Sequence, residues 1–160
     1  MTGLRVFIVL SSLLGLSLLA ACQRERPAPE AQVRALIQET VAAAEQKRLG
    51  AIRDKISDHY RDEQGQDKRT VENVLRLQFL RNESLHLLAR VPSVTVIAPD
   101  RAQAIVLVAM AGVPIASAQE LATLRADLHR FEIDFVLENK QWRVQRAVWR
   151  RAEAGEFFSP

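Results

Sequence analysis

The chain has 160 residues, of which 48% are apolar and 26% charged, with a formal net charge of +3. That length fits one domain with a single apolar core. Cys22 is the only cysteine, which excludes an intramolecular disulfide, so stability has to come from packing.

The first 21 residues have the three parts of an export signal. Arg5 supplies a positive start, Val6 to Leu19 form an apolar region broken by Ser11, Ser12, Gly15 and Ser17, and Ala20 and Ala21 are small. The uninterrupted apolar run is shorter than the ~20 residues of a spanning helix, and no positive cluster follows it. A plain secretory signal would leave a free thiol at the mature terminus, an odd choice for an oxidising compartment. The run Leu19-Ala20-Ala21-Cys22 resembles the lipobox of bacterial lipoproteins. That resemblance implies cleavage before Cys22 and lipid on its sulfur and new amino group. Two or more acyl chains give stable anchoring, so the membrane is the first expected partner. Gln23, where an Asp would imply inner-membrane retention, implies the outer membrane with the domain in the periplasm.

Residues 22–30 read as the lipidated cysteine and a short tether, polar and carrying Pro27 and Pro29. A domain is expected over 31–152 and a C-terminal tail over 153–160. Val33, Leu36, Ile37, Val41 and Ala44 recur at the spacing of one helical face, and Gly50 is the expected stop. A shorter helix places Ile52 and Ile56 inward with Tyr60 at its end. Arg61 to Lys68, with Gly65, reads as a loop. A third helix is expected from about Arg69 to Leu80, with Val71, Val74, Leu75 and Leu77 as its apolar set.

The period then changes to two. Leu85, Leu87, Ala89 and Val91 predict a strand, Pro92 a bulge or an edge, and Val94 and Val96 the strand's resumption. Pro99-Asp100 is a turn. Ala104 to Met110 is apolar on both alternating sets, which predicts a strand covered on both faces. Gln119 to Asp127 is read as a short helix carrying Leu121 and Leu124. Phe131, Ile133, Phe135 and Leu137 alternate with Glu132, Asp134 and Glu138, Asn139-Lys140 makes a hairpin turn, and Gln141 to Arg151 is the last strand. Three helices followed by about four mainly antiparallel strands predict an α+β domain.

These pieces, in this order, resemble the NTF2-like superfamily. The resemblance is carried by Ser57 to Gly65 after the second helix, by Val91-Pro92-Ser93-Val94-Thr95-Val96 with Arg101-Ala102, and by the closing hairpin. In the hairpin it rests on Phe131 to Phe135, Gln141-Trp142-Arg143-Val144 and Ala147-Val148-Trp149. It implies a curved sheet wrapped around three N-terminal helices to form a cone. Some members, such as ketosteroid isomerases and polyketide cyclases, do acid–base chemistry in that cone, while others bind partners or dimerise.

An isomerase of this kind needs a carboxylate base inside the cone and donors for an oxyanion. Glu132 and Asp134 are the tempting pair, but they share the strand face opposite Phe131, Ile133 and Phe135 and are expected to point to solvent. Tyr60 and Asp62 are read as structural, a helix end and a turn. His59, His86 and His129 have no second ligand at metal spacing, so no catalytic residue, metal or cofactor is assigned. Arg143, Arg146, Arg150 and Arg151 are read as a solvated strand face paired with Glu132, Asp134 and Glu138. With Arg5 removed the charge is nearly balanced, which argues against nucleic acid. On the doubly apolar strand, Val106, Val108 and Met110 are assigned to an interface, with a second copy or an envelope protein as partner. The leading expectation is a non-catalytic binding or assembly module, and the alternative is a pocket enzyme or carrier for a small apolar molecule.

Overall fold

The apolar stripe at Val33, Leu36 and Ile37 becomes the buried face of helix α1 (Pro29–Glu45) in the computed structural model, which describes residues 27–158. The segment expected to be an export signal, Cys22, the first part of the expected tether and the last two residues lie outside the described residues. Pro29 sits in the first turn of α1, where its missing N–H is no loss, and Glu30 favours the positive helix end. The helix ends before Gly50. Lys47 takes a φ of 52°, and its Nζ donates to the carbonyls of Asn82 and, at 2.9 Å, Glu83. Gly50 instead lies inside the five-residue helix α2 (Leu49–Arg53).

The chain leaves α2 earlier than its apolar spacing suggests because Ile56 forms a parallel bridge to Val144. Val144 N donates to Lys55 O at 2.8 Å and Ser57 N to Val144 O at 2.9 Å. Tyr60 therefore lies in a turn beyond the helix and is only 4% exposed. Helix α3 (Lys68–Arg81) starts at Asp67, whose side chain accepts from Thr70 N at 2.8 Å. Its Val71, Leu75 and Phe79 pack on Ala43, Ile52, Ile56 and Tyr60. Val74 and Leu77, expected inside, are exposed, as is Leu80.

Strands β1 (His86–Ala98), β2 (Arg101–Ala111), β3 (Asp127–Glu138) and β4 (Gln141–Arg151) form one sheet in the order β1-β2-β3-β4, each neighbour antiparallel. Pro92 does not interrupt β1. It lies in an edge strand, at a register shift between Arg90 and Ser93, where a missing donor is tolerated. Asn139 and Lys140 both take positive φ, as the tight hairpin turn requires.

The architecture is α+β, with three α-helices and a four-stranded antiparallel sheet. The helical elements are not all N-terminal. A 3-10 turn at Ala118–Ala122 lies between β2 and β3, in place of the longer helix expected there, and another at Ala154–Phe157 follows β4. These two turns cover the convex face of β2. Leu107 and Ala109 are buried there with Leu121 and Phe157. The segment expected as a tail thus contributes one of the most buried side chains, Phe157, at 0% exposure.

Of the three side chains assigned to an interface on β2, the same geometry places Val106 in the core, while Val108 and Met110 are half-buried. Val106 is 2% exposed and belongs to the cluster under α1, with Val33, Leu36, Ile37, Val94, Ala102, Ala104, Phe135 and Trp142; Val108 packs against that cluster. By register, Met110 lies on this same concave face. The strand is apolar on both sides because α1 covers one and the two 3-10 turns cover the other.

Truncating Phe157 to Ala should destabilise the domain by about 3–5 kcal/mol, as removal of a buried ring does, measured by urea unfolding. A loss below about 1 kcal/mol would mean that the turn is not part of the core. Glu156 gives a pH signature. It accepts from Arg150 Nη1 at 3.0 Å and Nη2 at 2.8 Å and from Glu153 N at 3.0 Å. Arg150 first, then the Glu153 amide, holds its carboxyl at about 2, below the ordinary 4.5. A depressed carboxyl contributes its full stability above 4.5 and loses it as pH falls toward about 2. Glu156→Gln should flatten the stability–pH slope in that window, and an unchanged slope would show that the pairing is not kept in solution.

Candidate functional site

Inward-facing residues of the four strands line up in rows across the concave face. Phe135 and Trp142 fill one end, at 1% and 5% exposure. Further along, Val106 pairs with Phe131 and Phe131 with Trp149. The next row runs Ala89, Val108, His129, Arg151, and the last pairs Leu87 with Met110 and Met110 with Asp127. Phe131 and Val108 pack against the core cluster, His129 is half-buried, and Trp149 is 58% exposed. The His129 ring meets Trp149 edge-on at 5.4 Å and lies 6.2 Å from Phe131.

His129 is the polar group of this aromatic row. Burial pushes its imidazole below the usual histidine range; Asp127 opposes the shift and Arg151 adds to it. Its Nδ1 is buried without a hydrogen-bond partner. At the rim Arg151 pairs with Asp127 at 3.7 Å, both largely exposed.

Beside the rows, a groove of about 390 Å³ lies between α1 and β1. Arg34, Ile37, Gln38, Val41, Ala42 and Glu45 line it from the helix, Ala89 and Val91 from the strand. Arg34 Nη1 donates to Val91 O at 2.9 Å, and Glu45 Oε1 accepts from Leu87 N at 2.9 Å. These two side chains tie the helix to an otherwise open sheet edge.

The residues singled out by sequence lie elsewhere. Glu132 and Asp134 are on the convex face, as their alternation implied. Asp134 accepts from Gln103 Nε2 at 2.9 Å and meets Arg146 at 3.5 Å, while Glu132 meets Arg130 at 3.4 Å. Tyr60 is buried, and that burial pushes its hydroxyl pKa up. Asp62 accepts from Gln64 N at 2.9 Å and Gln66 N at 2.8 Å and so closes a turn. The late arginines are paired: Arg143 with Glu138, Arg146 with Glu63 and Asp134, Arg151 with Asp127. Arg150 pairs with Glu156 rather than across the hairpin with Glu132. Among the described residues no group of three His, Cys, Asp or Glu could hold a metal ion.

The grouping of His129, Phe131 and Trp149 escaped the sequence reading. Alternation showed that His129 and Phe131 share a face; only the register across β4 brings Trp149 to them. Arg34 carried no signal beyond its place on an amphipathic helix.

No protein-family model matches the chain, and no curated protein matches it. Solved structures do. The chain is similar to Bd1075 from Bdellovibrio bacteriovorus, with a TM-score of 0.61 and 11% identity over 76% of this chain; it spans 40% of that protein's length. It is similar to an NTF-2 like protein of unknown function from Shewanella oneidensis, with a TM-score of 0.60 and 8% identity over 76% of this chain and 98% of that one. A ketosteroid isomerase-like protein from Erwinia carotovora atroseptica gives a TM-score of 0.60 at 10% identity, over 80% of this chain and 99% of that one. Identities this low speak for the fold alone. With the helices packed on one face of a four-stranded antiparallel sheet, the described domain has the NTF2-like fold.

Proposed function

We propose that the protein is a lipid-anchored protein of the bacterial outer membrane whose NTF2-like domain binds an apolar ligand without catalysing a reaction. The observation that carries the binding reading is the aromatic row of Phe131, His129 and Trp149 on the concave face, which ends in the exposed Trp149 ring. Acid–base chemistry of the isomerase kind needs a carboxylate beside the bound molecule. The strand carboxylates do not supply one there: Glu132 and Asp134 point the other way, and Asp127 at the rim is held by Arg151. An exposed aromatic ring backed by half-buried aromatic and aliphatic side chains, with a few polar groups beside them, is the composition of a binding surface.

The export signal and the run Leu19-Ala20-Ala21-Cys22 support the anchor. An envelope protein offering an apolar segment fits the same concave end. A second copy docking through Val106 does not, because that side chain is core. One observation favours the alternative of a pocket enzyme: His129, the imidazole of the aromatic row, has an Nδ1 without a hydrogen-bond partner.

Mass spectrometry of the N-terminal peptide tests the anchor. The expected product begins at Cys22 and carries acyl chains; a leader still attached, or an unmodified Cys22, would sink that half of the reading. For the domain, Trp149→Ala should weaken binding of a neutral apolar fluorophore by about tenfold, while His129→Phe should leave it within about threefold. Unchanged binding in Trp149→Ala would move the site elsewhere. A ligand converted by the wild-type protein but not by His129→Phe would put the enzyme reading first.

A further inference from the structure

We propose that the groove between α1 and β1 takes an acyl chain with an acidic head group, the head at Arg34 and the chain along the groove. This rests on the reading of the concave end as an apolar binding surface. Arg34 is half-buried and held over β1 by its bond to Val91 O. That bond engages one of five guanidinium donors. Among the described residues no carboxylate pairs with it. A guanidinium fixed in place with free donors beside an apolar wall matches a carboxylate or phosphate, which it can bind through two parallel hydrogen bonds.

The rest of the groove is suited to hydrocarbon. Ile37, Val41 and Ala42 follow Arg34 along one stripe of α1 and face Ala89 and Val91. By register the strand wall adjoins Val108 and then His129, so the groove borders the aromatic row. Glu45 lies at the far end, about 16 Å along the helix axis from Arg34. Its carboxylate is held there by Leu87 N and would repel an acidic head. The two charges give the groove a direction: head at Arg34, tail toward Glu45.

The test uses the purified full chain in neutral-detergent micelles and photoreactive twelve-carbon chains ending in a carboxylate, a phosphate monoester or a neutral hydroxyl. Peptide mapping locates the label, so background from the micelle is recognised by its position. The acidic probes are expected to label the α1 and β1 peptides about tenfold more than the neutral one, as one charge-assisted pair allows. A preference for carboxylate points to free fatty acids, and a preference for phosphate to phospholipid-derived chains; either supports the proposal. Arg34→Gln should erase the preference and Arg34→Lys restore most of it. Ala89→Leu, which fills the groove but keeps the charge, should reduce labelling by all acidic probes. Equal labelling by the neutral probe would overturn the acidic-head inference and leave the apolar surface standing. Labelling absent from the whole concave face would overturn both.

Discussion

The packing of α1 across the concave face of the sheet is the contact on which the rest of the molecule depends. Val33, Leu36 and Ile37 descend onto Val94, Ala102, Ala104 and Val106, with Phe135 and Trp142 closing the same cluster. Ala102 and Ala104 matter because they are small. They leave room beneath the helix, which lies along β1, while larger side chains on β3 and β4 fill the space beside them. With no disulfide possible, this apolar contact and the two smaller clusters hold the fold. The bridge between Ile56 and Val144 then pins the connection from α2 to α3 against β4.

The same contact decides where binding can occur. Helix α1 follows the β1 side of the inner surface, from Arg34 at Val91 to Glu45 at Leu87. Across the sheet Phe131 packs against the core cluster and His129 is half-buried, while Trp149 on β4 stays exposed. The groove along β1 is the seam where helix and edge strand diverge. Arg34 and Glu45 work there first as edge protection, satisfying Val91 O and Leu87 N, and only then as charges available to a ligand.

Much of this was legible in the sequence. The three-and-four spacing from Val33 located α1, and alternation located the strands and correctly placed Glu132 and Asp134 away from the helices. The hidden parts depend on contacts distant along the chain. Gly50 is an ordinary stop signal, yet the helix ends at Lys47, whose positive φ lets Arg48 N bond Ala43 O and whose side chain reaches the carbonyls after α3. Alternation along β2 revealed two apolar faces but not their covers; Phe157, far along the chain, supplies part of one. Assigning Val106 to an interface followed from supposing that one of the faces stayed open. His129, Phe131 and Trp149 are neighbours only through the register of β3 with β4, which a bulge between Asp134 and Phe135 shifts.

The central claim is that the end of the concave face with Trp149 is a binding surface. Native mass spectrometry of the full-length protein, gently isolated from cells, tests it most directly. The account predicts a non-covalent apolar adduct, beyond any acyl chains on Cys22, that is lost in Trp149→Ala and extracted chemically unchanged. A protein free of adduct, whose Trp149 stays as accessible to a soluble quencher in cell-envelope extract as in buffer, would contradict it.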